Sequence, residues 1–426
     1  MGTEKNISGT EMNMPGTEQN ISGTEMNMPG TEQGAPCSAP GYYFAPMEGF
    51  TGRIYRRVHH KYFPGIDKYF TPFLPTHLSG SLSAKERREV DPANNPGQSP
   101  VVNLPQKSEA DKSDRPACFL IPQLLSKDSG QFVLTAKALA DLGFGEINLN
   151  LGCPSATVVP KGRGSGMLKN PEALNRFFEE IFANLADGNA PGLKKQIFIP
   201  ERPEAINESE KCGTARPHVL MSVSERPGIL NEPDYADTAE TQPRISVKTR
   251  LGLTDPAECR VLLDIFNRYD FKELIIHPRT REDFYKSPLH MDYFTEMYRA
   301  SRNPVVFNGD IKTAADCRRI LETYPDLKAV MIGRGLLINP ALVREARGGK
   351  PLEKEEYRAF LKELFAAYED EYQSEGNALS KMKDLWTFAS QAFPENPAGL
   401  RSVKKAGTGS EYNMAVDKIF CSAETF

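Results

Sequence analysis

Apolar runs of a few residues recur along the chain from Tyr42 onward. They are "YYFAPM" (42–47), "KYFTPFL" (68–74), "CFLIPQ" (118–123), "EINLNL" (146–151), "ISVKT" (245–249), "ELIIH" (273–277), "PVVFN" (304–308) and "AVMIG" (329–333). Most are continuous rather than alternating, as expected of parallel strands covered by helices. Between them the apolar spacing changes to three and four residues. Asn170 precedes Pro171 at the head of "LNRFFEEIF", Asp255 precedes Pro256, and Thr313 precedes "AADCRRILETY". Each reads as a capped helix start. Eight strands alternating with helices predict an α/β fold, a closed (β/α)8 TIM barrel over about 40–345. Beyond Pro351 the strands stop and helical spacing continues, which predicts a small all-α domain over 350–426.

Three segments break the rhythm. Residues 1–35 carry a heptad repeat ("GTEKNIS", "GTEMNMP", "GTEQNIS", "GTEMNMP"). Its Gly and Pro residues oppose a helix, and its apolar positions are too few for a coiled-coil seam, so a disordered low-complexity tail is expected. Residues 91–116 and 187–243 are rich in Pro and polar residues. They read as flexible inserts, the second with a possible short strand "HVLMSV" at 218–223.

Composition narrows the partners. Formal net charge is −4, so the chain as a whole is not basic, and any nucleic-acid contact must come from local clusters. Arg53, Arg56, Arg57 and Lys61 form one such cluster. Lys381, Lys383, Arg401, Lys404 and Lys405 form another, and a solvated helix face is the plainer account of each. The seven cysteines include no Cys-x-x-Cys pair, so no metal site is expected. No apolar stretch is long enough for a membrane span, and a cytoplasmic protein is expected.

In a parallel barrel the site lies at the C-terminal ends of the strands. That rule selects Pro46 and Met47, Gln123, Asn150 with Cys153, Lys248, His277, Asn308 with Gly309 and Asp310, and Gly333 with Arg334. Any one of them could be a strand-end cap, but the set points to a shared polar cavity. Glycines after the last two strands, in "FNGDI" and "MIGRGLL", let backbone amides approach an anion, and Arg334 adds a charged fork. Lys248 inside an apolar strand is costly to bury unless paired, either with a barrel carboxylate or with the anionic edge of a reduced flavin. His277 could bond a flavin or substrate, or be a satisfied core histidine. Cys153 directly follows a strand and opens a Gly-rich loop with Lys161, Arg163 and Lys169 and no acid. It could be a nucleophile, an acid or inert packing.

Together these segments resemble the tRNA-dihydrouridine synthase family. The matching stretches are "APMEGFTG" (45–52), "EINLNLGCPS" with "KGRGSGML" (146–168), "VKTRLG" (247–252), "IIHPRTREDFY" (275–285), "NGDI" (308–311) and "MIGRG" (331–335). The resemblance implies an FMN enzyme that reduces the C5=C6 bond of selected tRNA uridines, with NADPH as electron source and a C-terminal tRNA-recognition domain. By the same resemblance Pro46, Met47, Glu48, Gln123, Lys248, His277, Asn308, Gly309, Asp310, Gly333 and Arg334 would hold FMN. Asn150, with Lys161, Arg279 and Arg281, would meet the substrate, and Cys153 would protonate uracil C5 while hydride reaches C6. The target base would have to leave its stack. Glu48, the Thr51-Gly52 pair, the 187–243 insert and the repeat tail depart from the family pattern. Two other readings stay open: a flavin barrel acting on a small molecule such as a free pyrimidine or enone, and a non-catalytic RNA-binding protein.

Overall fold

Each apolar run of the sequence becomes a strand of one closed parallel ring. In the computed structural model, which describes residues 39–95, 119–186 and 242–422, the strands are β1 (Gly41–Phe44), β2 (Lys68–Phe70 and Leu74–Pro75), β3 (Phe119–Ile121 and Gln123–Leu125), β4 (Glu146–Leu151), β5 (Arg244–Gly252), β6 (Leu274–Thr280), β7 (Val305–Phe307) and β8 (Ala329–Ile332). Pro122 splits β3 because proline has no amide to donate. All pairings are parallel, between neighbours in sequence, and β8 returns to β1 with Gly41 opposite Ala329. This closure makes the sheet a (β/α)8 barrel.

Tyr43, Phe70, Ile121, Ile275, Val306 and Met331 are buried together and fill the barrel interior. The opposite strand faces pack against the helices in the larger core. Opposite the strands' C-terminal mouth, Lys68 Nζ bonds Glu146 at 2.7 Å and Glu273 at 2.8 Å, and the Tyr43 hydroxyl donates to Glu273 at 2.7 Å.

The helix starts behave as their sequences predict. Asn170 Oδ1 accepts the Ala173 amide at 2.9 Å. Asp255 with Glu258, and Thr313 with Asp316, form reciprocal capping boxes. Both β5 and β6 run longer than their apolar runs. The polar "HPRT" segment stays extended by pairing with β5 across a bulge between Arg250 and Gly252.

Four helices follow the barrel: Lys354–Tyr372, Glu375–Ala389, Pro397–Lys405 and Gly409–Ser422. They share a core in which Trp386 Nε1 donates to the Tyr412 hydroxyl at 3.1 Å. Helix Arg53–Tyr62 docks on the first of them, with Tyr55 edge-on to Phe360 at 5.8 Å. The described residues from Pro40 onward belong to one compact unit. The repeat tail, the 187–243 insert apart from its last residues, the "HVLMSV" segment and residues 96–116 of the other insert lie outside the described residues. The start of that insert does not follow the expectation of a flexible loop: Pro92–Asn94 is a 3-10 turn and Asn95 is buried against Arg56. No described helix is long and apolar enough to cross a membrane.

Candidate active site

The strand ends converge on a cleft of about 500 Å³ at the mouth of the barrel. Pro46, Met47, Glu48, Gln123, Asn150, Cys153, Lys248, His277, Asn308, Gly309, Asp310, Gly333 and Arg334 all line it. Lys161, Arg279 and Arg281 do not. Lys161 is exposed on a 3-10 turn, and Arg279 is buried beneath the cleft.

A chain of polar side chains crosses the wall from β3 through β4 to β5. Asn150 Nδ2 donates to Gln123 Oε1 at 2.8 Å, Gln123 Nε2 to Asn148 Oδ1 at 2.8 Å, and Asn148 Nδ2 to Ser246 Oγ at 2.9 Å. Asn150 Oδ1 accepts the amides of Gly152 at 3.0 Å and Cys153 at 2.9 Å. Most of the Asn150 carboxamide is thus committed to the cysteine loop. Gly164 (φ +57°) lets that loop turn back, and the Ser165 hydroxyl locks it by donating to the Cys153 carbonyl at 2.8 Å. Burial pushes the Cys153 thiol above its ordinary range, despite the cations of Arg250 and Lys248 nearby. It is therefore a neutral S–H at neutral pH.

The Lys248 ammonium faces the cleft with no hydrogen-bond acceptor among the described residues. Desolvation, then repulsion from Arg250, lowers it to about 7. His277 is held well below its ordinary value by burial, and then by Arg250, Lys248, Arg279 and Arg334. Its Nε2 lies 3.2 Å from Arg279 Nη1, an obligate donor, so the neutral ring accepts there and carries its proton on Nδ1. Arg279 grips Asp310 with two bonds (3.0 and 2.6 Å), and Asp310 in turn holds Arg334 at 2.5 Å. Those guanidinium groups keep the Asp310 carboxyl below its usual range against its partial burial.

Of the glycines after β7 and β8, Gly309 and Gly333 reach the cleft. A Cβ on Gly333 would stand 3.3 Å from Met47 Sδ. Gly335 has a packing role instead, since a Cβ there would meet the Ile311 carbonyl at 2.3 Å.

Strand-end reasoning misses several cleft residues. Arg250 is fully buried and bonds the carbonyls of Gly152 (2.9 Å), Thr280 (2.7 Å) and Phe284 (2.9 Å). Tyr285 stacks under the cations of Arg250 (5.2 Å) and Arg334 (5.4 Å). Its position in an exposed polar segment after β6 was the available signal. Phe50 and Phe388 meet edge to face at 5.1 Å on the rim, and Phe388 comes from helix Glu375–Ala389. Nothing local in the sequence separates Phe388 from a core residue.

Much of the first basic cluster is tied to acids or buried, though Arg57 stays exposed. Arg56 is fully buried, bonded to Asn95, Thr51 and Glu89; Arg53 pairs with Glu371, and Lys61 with Glu363 at 2.7 Å. Two of those acids lie some three hundred residues away, so a local window finds the cluster acid-free. In the second cluster Arg401, Lys404 and Lys405 are exposed on helix Pro397–Lys405. Among the described residues no group of three His, Cys, Asp or Glu side chains could hold a metal ion.

The profile of the dihydrouridine synthase family matches residues 43–204 and 238–403. A tRNA-dihydrouridine(16) synthase of Cupriavidus necator is 27% identical over 256 residues, covering 58% of this chain and 62% of that protein. One of Pseudomonas putida is 24% identical over 357 residues, covering 82% and 88%. A solved structure of morphinone reductase in complex with tetrahydroNAD covers 74% of this chain and 88% of its own, at 13% identity and a TM-score of 0.36, a likeness too weak to bear on function. With the family profile covering well over half of its length, the chain belongs to the dihydrouridine synthase family, a family of enzymes.

Proposed function

We propose that this chain reduces the C5=C6 bond of a uridine in tRNA, using FMN held in the cleft and NADPH as reductant. Family membership supports the reaction class. The observation that carries the finer reading is one cleft that combines a neutral thiol with a buried lysine that has no acceptor among the described residues.

The residues present fit a flavin. Lys248 offers positive charge to an electron-rich ring edge, and neutral His277 offers one N–H. Pro46, Met47, Gln123, Asn308, Gly309 and Gly333 form the walls, with Glu48 at the rim. Arg334, oriented by Asp310, supplies a guanidinium for a phosphate. When bound, reduced FMN supplies the hydride chemistry that no amino-acid side chain provides.

The chain's own chemical step is a proton transfer. Cys153 Sγ gives its proton to uracil C5, and the thiolate that remains is favoured by the nearby cations of Arg250 and Lys248. Asn150 fixes the thiol's backbone and keeps one N–H for the base. Arg279 acts as a positioning residue through Asp310. Lys161, Arg281 and the helices after residue 350 face the rest of the RNA.

Two measurements test this. The purified protein should be yellow, with a flavin absorbance band. It should also convert uridine to dihydrouridine in an unmodified tRNA transcript with NADPH, read by mass spectrometry, with position 16 the first to inspect given its relatives' names. A colourless protein overturns the cofactor. A yellow protein that reduces enones or free pyrimidines but never tRNA overturns the substrate.

A further inference from the structure

Beside the cleft, a bulky residue sits in a backbone conformation that suits glycine. Phe284 has φ +49° and is 40% exposed. A non-glycine residue in the left-handed region is disfavoured, and it persists only where the surroundings over-determine it. Here they do. Asp283 Oδ2 accepts the Thr280 amide at 2.7 Å and its hydroxyl at 2.8 Å, and His290 Nε2 lies 3.0 Å from the same oxygen. The Phe284 amide donates to the Arg281 carbonyl at 3.2 Å, and Arg250 Nη1 holds the Phe284 carbonyl at 2.9 Å. That turn therefore leaves an apolar ring partly open to solvent. The ring is backed by the Arg281 guanidinium, 5.3 Å from its centroid. The next residue, Tyr285, lines the cleft itself.

We propose that Phe284, backed by Arg281, is a stacking platform for the unpaired nucleobase adjacent to the uridine that enters the cleft. The proposal rests on the tRNA reading of the site and adds to it a contact with the flanking nucleotide. A base that leaves its stack exposes the π-face of its neighbour, and an aromatic ring with a cation behind it takes up such a face whatever the base. The cation also draws the adjoining phosphates. Arg281 Nε, shielded from solvent, has no acceptor among the described residues. Arg250 ties the platform to the chemistry, because the guanidinium that holds the Phe284 carbonyl also holds the Gly152 carbonyl, one residue before Cys153.

The test compares the wild-type holoenzyme with Phe284→Gly, a residue that adopts this φ freely, so the variant is expected to fold with an unfolding temperature no lower than wild type. On an unmodified tRNA transcript its KM should rise about tenfold at nearly unchanged kcat, the scale of one lost stacking contact. Flavin content and NADPH consumption without RNA should not move. Phe284→Tyr should restore KM, and Phe284→Asn, also tolerant of this backbone, should repeat the glycine result. An active wild type with an unchanged KM in the glycine and asparagine variants overturns the platform alone. So does a fall in kcat at constant KM, which would point to lost support for Arg250. A yellow wild type that makes no dihydrouridine overturns the tRNA reading, and the platform with it.

Discussion

The Asn150 side chain holds the Cys153 backbone: its Oδ1 accepts the cysteine amide at 2.9 Å while its Nδ2 donates to Gln123 at 2.8 Å. The thiol is thereby fixed to a β-strand rather than left on a free loop. Because burial raises the thiol, the acid form persists through neutral pH. The rate of uridine reduction should therefore stay level from pH 7 upward and fall only as the thiol ionises. Cys153→Ala should keep FMN and lose roughly 10²–10⁴-fold in kcat, the usual contribution of a placed acid. Asn150→Asp keeps the acceptor for the amide but adds a negative charge, so its alkaline limb should move to higher pH. A pH profile that is the same in wild type and Asn150→Asp breaks the link between the two residues.

Lys248 gives a prediction that needs no turnover. Its folded value, about 7, lies below its ordinary 10.5, so at pH 8 the apo-protein holds this amine mostly neutral. A negatively charged partner would restore the charge by raising that value. Anaerobic binding of reduced FMN, whose ring carries a negative charge, should therefore take up close to one proton at pH 8, and at pH 6 almost none. Calorimetry in buffers of different ionisation enthalpy reads this directly. For stability the sign is fixed as well. Between the folded and unfolded values the unfolded chain binds the extra proton, so Lys248 makes the apo-protein more stable as pH rises from 7 toward 10. Lys248→Met should abolish the proton uptake and flatten that rise; uptake that persists in the methionine variant assigns it to another group.

Two basic clusters that look alike in sequence should behave oppositely. Arg56 is fully buried, with its guanidinium bonded to Asn95, Thr51 and Glu89. Arg56→Met strands those acceptors and should cost about 3 kcal/mol of stability, visible as a lower unfolding midpoint. It should leave the salt dependence of tRNA binding alone. Lys404→Ala with Lys405→Ala, on an exposed helix face, should leave the midpoint within a degree or so and reduce the salt slope by roughly one for each lysine that meets a phosphate. An unchanged slope assigns those lysines to the solvated face of the helix.

The barrel is legible because its strands are buried on both faces, so most are written as unbroken apolar runs, "AVMI" coinciding with β8 over Ala329–Ile332. The cleft is legible for a related reason: polar residues that end apolar runs share one end of the barrel, which gathers Gln123, Asn150, Lys248 and His277 from four strands. What escapes is set by distance along the chain. Whether Arg53 or Lys61 is free depends on Glu371 and Glu363, which a helix after the barrel brings back. Arg279 is polar and follows an apolar run, yet its partner Asp310 turns it under the cleft rather than into it. Gly335 and Gly333 are equivalent in the text "GRG", and only the packing of Ile311 against the former separates cradle from filler.

Phe388 is the point where the helices after the barrel enter the cleft. It meets Phe50 edge-on at 5.1 Å, two residues after Glu48, while Lys381 of the same helix lies 3.3 Å from the Gly49 carbonyl. The helix is anchored elsewhere by the buried Trp386, so truncating a half-buried phenylalanine on its outer turn should not unfold it. Phe388→Ala removes an apolar wall from the substrate side of the cleft but touches no residue placed around Lys248 or His277. FMN content and NADPH oxidation without RNA should therefore hold, while kcat/KM on tRNA falls about tenfold, the scale of a lost aromatic contact to a base. Phe388→Leu, which keeps apolar bulk without a ring face, separates shape from stacking: recovery with leucine marks a wall, continued loss marks a stacking surface. If kcat/KM on tRNA is the same in wild type and Phe388→Ala, the helices bind RNA without forming part of the cleft that acts on it.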